Sequence, residues 1–279
     1  WEAHVAGPLI ATKLHVPARR PAAVARPELV ARLNGSGRLV LVAAPAGFGK
    51  TSILTEWLAS RDAVERIGWV SLDERDNAVD QFWTYLITAL DRAAPGAGTA
   101  ALELLGSSPP SIEAVVATLV NDLDAAGDRI VLVLDDFHVI DSPAIHAGVE
   151  FLLDSLPANV RIVIASRVDP ALPLARLRAR RELVELRAAE LRFTPAEASA
   201  YLRDVMGLVV DDGAVAALDD RTEGWIAALQ PAALSMQGRD DPAAFIAGFA
   251  GDDRFVVDYL VEEVLRRQPD GVRTFLLET

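Results

Sequence analysis

Cysteine is absent from this 279-residue chain, so disulfides, Cys-ligated zinc and thiol nucleophiles are all excluded. That absence fits a reducing compartment, and a cytoplasmic location is the expectation. Histidine is scarce too: His4, His15, His138 and His146 show no metal-ligand spacing, and no zinc site is expected. Apolar runs such as IVLVL and RIVIA are short, far below the roughly 20 residues a membrane helix needs, so no membrane partner is expected. The first twenty residues have neither the basic start nor the apolar stretch of a secretory signal. Basic residues are outnumbered, 27 against 40 acidic ones, for a net charge of −13. A surface that negative repels a phosphate backbone, and phosphate contacts dominate nucleic-acid affinity, so the chain is not expected to bind DNA by itself. It starts at Trp1 rather than Met, and the expectation is a piece of a longer protein.

What is present is an alternation of compact apolar runs with helical periodicity. Residues 1–25, punctuated by Pro8, Pro17 and Pro21, read as an extended lead-in, followed by a short helix near Glu28–Leu33. Strand runs are predicted at Arg38–Ala43, Ile67–Leu72, Ile130–Leu134, Arg161–Ala165 and, more weakly, Leu183–Leu186. Between them, Thr51–Ser60 sets Ile53, Leu54, Trp57 and Leu58 on one helical face, and a second helix is predicted around Gln81–Ala94. Residues 95–110, rich in Gly and Pro, read as a loop, after which Ser111 can cap a helix that runs to Gly127. Strands apolar throughout and separated by helices indicate a parallel sheet covered on both faces, hence a doubly wound α/β domain over 26–190. From residue 191 only helical segments follow: a first one with Thr194 as cap, Pro195 at its first position and Glu197 at its third, then Gly213–Asp220, Gly224–Met236, Pro242–Ala250 and Phe255–Gln268. A small helical domain over 191–238 and a further segment over 239–279 are the expected divisions. The five tryptophans, Trp57, Trp69, Trp83 and Trp225 among them, fall on apolar faces and read as core.

Between the first strand and the first helix of the sheet domain lies Ala44-Pro-Ala-Gly-Phe-Gly-Lys-Thr51, a G-x-x-x-x-G-K-[ST] phosphate loop with Ala44 in place of the first glycine. Ala46, Gly47, Phe48, Gly49, Lys50, Thr51 and Ser52 are the predicted nucleotide contacts. Gly47 and Gly49 let backbone N–H groups turn toward phosphate oxygens, Lys50 brings charge to the β- and γ-phosphates, and Thr51 offers a hydroxyl to magnesium. The helix N-terminus adds its own positive end. A Gly-rich turn with an exposed lysine is the plain structural alternative.

The third strand ends in Asp135-Asp136. A magnesium-holding carboxylate is expected to emerge from a buried strand adjoining the phosphate loop, which gives Asp135 the metal and leaves Asp136 to orient or deprotonate a water. The pair could instead be a turn signal or helix cap. The fourth strand ends in Ser166-Arg167, and ligands of open α/β sheets bind at the carboxyl ends of the strands. Arg167 is therefore a candidate γ-phosphate sensor, with an exposed strand-capping arginine as the alternative. His138 could couple this region to the helical part or be a packed structural histidine. ATP or ADP with magnesium is the expected ligand, and a regulatory switch or a conventional P-loop ATPase or kinase are the competing activities. No acceptor constellation for a kinase is evident.

These motifs, together with PLIATKLHVPARR, VARPELVARL, WVSLDERDNAVDQFWTYLITAL, LVLDDFHVI, IVIASRVDPALPLARLRAR, LRFTPAEA, TEGWIAALQPAALSM and DRFVVDYLVEEVLRRQPDGVRTFLLET, make the chain resemble the N-terminal nucleotide-binding module of large LuxR-type bacterial transcription regulators of the maltose-activator (MalT) kind. Those are STAND-class P-loop ATPases, and Ala44 at the first glycine's position is similar to them as well. The resemblance implies an ADP-bound inactive state held between the P-loop domain and a helical plus winged-helix pair, with 239–279 as the start of the winged helix. It further implies an inducer acting on a downstream sensor region, ATP-dependent self-association, and a DNA-binding domain outside this chain. It places Arg26 and Pro27 near the adenine, makes Arg167 the sensor arginine, and brings Gln230-Pro231 toward the nucleotide.

Overall fold

The computed structural model describes residues 9–19, 23–61, 65–107, 111–237 and 246. Apart from Ile246, the expected helices Pro242–Ala250 and Phe255–Gln268, and the expected winged-helix start, lie outside the described residues. The chain divides into two compact units. The first comprises Trp1–Arg19, Pro27–Ala44 and Lys50–Arg187, and the second Arg20–Arg26, Pro45–Gly49 and the chain from Ala188 onward.

The first unit is built on β1 (Leu39–Ala43), β2 (Arg66–Ser71), β3 (Ile130–Asp135), β4 (Val160–Ser166) and β5 (Leu183–Arg187). All are parallel, in the spatial order β2-β3-β4-β1-β5. Parallel strands need crossover connections, and these are α2 (Lys50–Ala59), α3 (Val79–Ala93), α4 (Thr99–Leu105), α5 (Ile112–Ala126), α6 (Pro143–Ser155) and α7 (Leu174–Ala179), with α1 (Pro27–Leu33) before β1. Because side chains alternate across a strand, the continuous apolar runs must be buried on both faces. Leu39, Leu41, Leu132, Leu134, Ile162 and Ile164 join one large cluster with Phe82, Leu86, Val116, Leu119, Val149 and Leu152 of α3, α5 and α6. The intervening Val40, Val42, Val131, Val133 and Val163 are equally buried. The doubly wound parallel sheet expected from the sequence is thus the observed architecture.

Local signals account for several helix ends. The Ser111 hydroxyl accepts from the Ala114 N–H at 3.3 Å, and α5 stops at Gly127 in the left-handed region, φ 70°. On α2 the predicted face of Ile53, Leu54, Trp57 and Leu58 is buried. The stretch 95–110, however, is not all loop. Thr99–Leu105 is the helix α4, with Ala101 and Leu105 buried against the large core. Its sequence TAALELL is made of good helix formers, and packing against α3 and α5 outweighs the Gly and Pro around it. The basic stretch after β4, for which no helix is predicted, forms α7.

In the described residues of the second unit there is no strand. Its helices are α8 (Ala188–Leu191), α9 (Pro195–Ala200), α10 (Asp212–Thr222) and α11 (Ile226–Met236), and Tyr201–Val205 forms a π-helical turn after α9. Ala198, Leu202, Leu218, Leu229, Ala232, Ala233 and Met236 make its core. The predicted capping box is present: Thr194 Oγ1 accepts from the Glu197 N–H at 3.2 Å, and Glu197 Oε2 accepts from the Thr194 N–H at 2.8 Å. Thr194→Ala leaves an orphan N–H at the start of α9 and should lower stability by about 1 kcal/mol. Urea unfolding would measure it, and an unchanged midpoint would mean the cap contributes nothing.

Candidate nucleotide and metal site

The sheet order decides which side chains can meet. The sequence suggests that Asp135 emerges from the strand next to the phosphate loop, but β4 lies between β1 and β3. Residue Ala43 pairs with Ser166, and Ala44 N–H donates to the Ser166 carbonyl at 3.2 Å. Arg167, following Ser166, therefore leaves the sheet between the phosphate loop and Asp135. The gap is bridged because Thr51 sits in the first turn of α2: its Oγ1 donates to Asp135 Oδ2 at 2.9 Å.

The loop between β1 and α2 turns through Gly47 and Gly49, at φ 75° and 74°. Left-handed backbone of this kind is costly for residues with a Cβ, which is why the motif keeps glycine there. Lys50 is buried and its Nζ donates to the Ala44 carbonyl across the loop at 2.8 Å. Its pKa is held below the ordinary lysine value, chiefly by burial and also by the Arg167 guanidinium, while Asp136 and Asp135 pull the other way. Lys50, Arg167, Asp135 and Asp136 thus feel one another at the carboxyl ends of β1, β3 and β4.

Asp135 is almost fully buried, and its carboxyl is pushed up to about 6. Burial is the main cause and the neighbouring Asp136 charge the next, with the bonds from Thr51 and the Asp136 N–H opposing both. A carboxylate forced toward protonation beside a threonine hydroxyl is a good partner for a hard cation. Magnesium is commonly bound through one or two protein ligands, with phosphates and waters completing its octahedron. That matches a pair, and no group of three or more candidate ligands occurs among the described residues. Asp136 has φ 58°, left-handed although not glycine, and its side chain is half exposed. Aspartate tolerates this conformation at a modest cost, and strain of this kind gathers at functional sites. The His138 Nδ1 lies 3.7 Å from Asp136 Oδ1.

Of the other predicted contacts, Arg26 and Pro231 fall in the second unit and Pro27 in the first. Arg26 is buried and its guanidinium is held by Glu197, at 2.8 Å from Nε to Oε1, and by the carbonyls of Glu190, Leu191 and Arg192. Those contacts tie the segment before α1 to α8 and α9, so the side chain has a structural task besides any contact with a base. Pro27 opens α1 in the first unit. Pro231 lies inside α11. From this segment the loop is met by Trp225, whose Nε1 donates to the Ala46 carbonyl at 3.1 Å and whose ring lies 6.4 Å from that of Phe48. Sequence reasoning sets Trp225 in the core with the other tryptophans. Trp57, Trp69 and Trp83 are buried there, but Trp225 is half-buried and bonded to the loop. A cleft of about 520 Å³ opens beside the ends of β3 and β4, lined by Phe137, His138, His146, Ser166, Val168 and Asp169 among others. No residue of the phosphate loop lines it, as expected for a site made from a backbone turn rather than a hollow.

Residues 28–164 match the family model of the AAA ATPase domain, a span that contains Lys50, Thr51, Asp135 and Asp136. The chain is 36% identical over 97% of its length to the HTH-type transcriptional regulator MalT of Klebsiella pneumoniae. It is 35% identical to that of Cronobacter sakazakii over 97%, and 36% to that of Yersinia pestis over 96%. The chain is homologous to MalT. It spans 30% of the length of these MalT proteins. Among solved structures, the Walker-type ATPase paby2304 of Pyrococcus abyssi shares the fold with a TM-score of 0.56 at 18% identity, covering 90% of this chain and 78% of that one. Along nearly its whole length the chain is thus similar to one part of MalT, and its residues 28–164 match an AAA ATPase domain. No helix among its described residues is long and apolar enough to cross a membrane.

Proposed function

We propose that this module is an ATP/ADP-dependent regulatory switch with slow, magnesium-dependent hydrolysis, acting within a MalT-like transcription activator. The observation that carries the reading is the Thr51–Asp135 bond, with Lys50, Arg167 and Asp136 within electrostatic reach of one another beside it. It gathers at the strand ends the groups needed to hold a phosphate chain, a divalent cation and a water. Lys50 binds the β- and γ-phosphates, with N–H groups of the Ala46–Ser52 stretch around them. Thr51 and Asp135 would hold magnesium, which supplies charge neutralisation for the phosphates. Asp136 orients the water, Arg167 senses the γ-phosphate, and Arg26, Pro27 and Pro231 border the rest of the nucleotide. The helical domain is the one expected over 191–238. In the whole regulator the inducer acts on a sensor region outside this chain, ATP replaces ADP, self-association follows, and DNA is bound by a domain that this chain does not include.

Denaturing the purified chain and identifying the released nucleotide tests the reading, with turnover measured alongside. ADP or ATP should be released, and turnover should fall far below the roughly 1–100 s⁻¹ of kinases. Turnover in that range would point to a conventional enzyme. Asp136→Asn should keep MgATP affinity while slowing hydrolysis by about a hundredfold, since the amide is isosteric but a poor base. Equal loss of both would remove the division of roles between the two aspartates.

A further inference from the structure

Trp225 makes a contact that ordinary core packing does not require. Its indole N–H is committed to the backbone carbonyl of Ala46, a residue 179 positions away in sequence. In a planar trans peptide the carbonyl of one residue and the N–H of the next point in opposite directions. Holding the Ala46 carbonyl from one side therefore aims the Gly47 N–H to the other, and a phosphate cradle depends on the aim of such N–H groups.

The local backbone is built to deliver the indole. Glu223 and Gly224 are both left-handed, at φ 48° and 67°. A Cβ on Gly224 would come within 2.4 Å of the Phe193 carbonyl oxygen, so only glycine fits against that strand of backbone. The Phe193 N–H donates to the Gly224 carbonyl at 2.8 Å, and the Trp225 N–H to Thr222 at 2.8 Å. Residues 192 and 193 are themselves anchored by Arg26, which donates to the Arg192 carbonyl at 2.7 Å and lies over the Phe193 ring at 5.1 Å. Phe48 then packs against the indole at an interplanar angle of 34°. The turn is thus fixed at its base while its tip holds the loop through the Trp225–Ala46 hydrogen bond and the Phe48 ring contact.

We propose that Trp225 is a positioning residue of the nucleotide site: by fixing the Ala46–Gly47 peptide it pre-aims the Gly47 N–H at the phosphates. The inference rests on the reading of Pro45–Gly49 as part of the phosphate cradle. It makes the sequence Glu223-Gly224-Trp225 part of nucleotide recognition, and it gives occupancy of the loop a direct mechanical connection to the start of α11.

Two replacements separate the hydrogen bond from the ring. Trp225→Phe removes the donor and part of the ring; the benzothienylalanine analogue at position 225 keeps the bicyclic shape and lacks only the N–H. Both should bind MgADP about five- to tenfold more weakly by calorimetry, the loss of one neutral hydrogen bond plus its ordering of the loop. Adenosine affinity and the unfolding midpoint of the nucleotide-free protein should stay unchanged, so that the ratio of ADP to adenosine affinity falls. A wild-type MgADP affinity in the benzothienylalanine protein would overturn the proposal, as would a parallel loss for ADP and adenosine. If the unsubstituted protein itself failed to bind MgADP, the cradle reading would fall and this inference with it.

Discussion

Lys50→Met should reduce MgADP and MgATP affinity by at least about a hundredfold, the scale of losing a charge-assisted contact to phosphate in a buried setting. Lys50 is the cation carried by the phosphate loop, and it is already buried there, bonded to Ala44. Its burial has a second consequence. The folded protein holds the lysine pKa below its ordinary value, so folding disfavours the charged form. For a lysine whose pKa falls on folding, the penalty is present below the folded pKa and disappears once pH exceeds the unfolded value. At pH 7 the penalty operates, and replacing the ammonium by an apolar stem of similar length removes it. The nucleotide-free variant should therefore unfold at the same temperature as the parent or slightly above it. Calorimetry paired with thermal unfolding separates the two effects: lost binding with retained stability assigns Lys50 to the ligand. Retained affinity would contradict the phosphate-loop assignment, and lost binding with a collapsed melting temperature would reduce Lys50 to a structural residue.

Much of the sheet unit is legible because its signals are local. IVLVL and RIVIA read as buried strands, the loop sequence from Ala44 to Thr51 sits between a strand and a helix, and Ser111, Gly127 and Thr194 mark helix ends by their own side-chain or backbone chemistry. What stays hidden is set by contacts distant in sequence. The insertion of β4 between β1 and β3 is a property of topology, and it converts a supposed strand adjacency into a bridge made by Thr51. The helix α4 owes its existence to packing against α3 and α5 rather than to its Gly- and Pro-rich surroundings. Arg26 is drawn into carbonyls more than 160 residues away, and nothing local to it announces that. The indole N–H of Trp225 is a donor that has to be satisfied when partly buried, and this could have warned against reading it as plain core. Its partner, however, could not be named from the sequence.

Asp135→Asn should act in opposite directions on stability and on metal-dependent binding. In the folded protein the Asp135 carboxyl is raised from 3.8 to about 6, so the native state takes up its proton more readily than the unfolded chain does. Stability from this group is complete below about pH 4 and is lost as pH rises through about 6. At pH 7.5 the charged form then costs on the order of 3 kcal/mol. Asparagine is neutral at every pH and escapes that cost. It has one oxygen where aspartate has two, and both are used, by the Thr51 hydroxyl and by the Asp136 N–H at 3.1 Å. Losing one of these acceptors gives back about 1 kcal/mol, leaving a net gain of about 2 kcal/mol for the nucleotide-free variant in the presence of a chelator. The gain should shrink toward zero by pH 4, where the parent carboxyl is protonated as well. With magnesium present the sign reverses: the variant should lose about ten- to hundredfold in MgADP affinity, while affinity for ADP in chelator stays close to that of the parent. Unfolding at pH 4.5 and 7.5 in chelator, together with ADP titrations with and without magnesium, measures all four quantities. A variant less stable than the parent at pH 7.5 would show that the buried charge is compensated by the fold alone, and an unchanged magnesium dependence would move the metal away from Asp135.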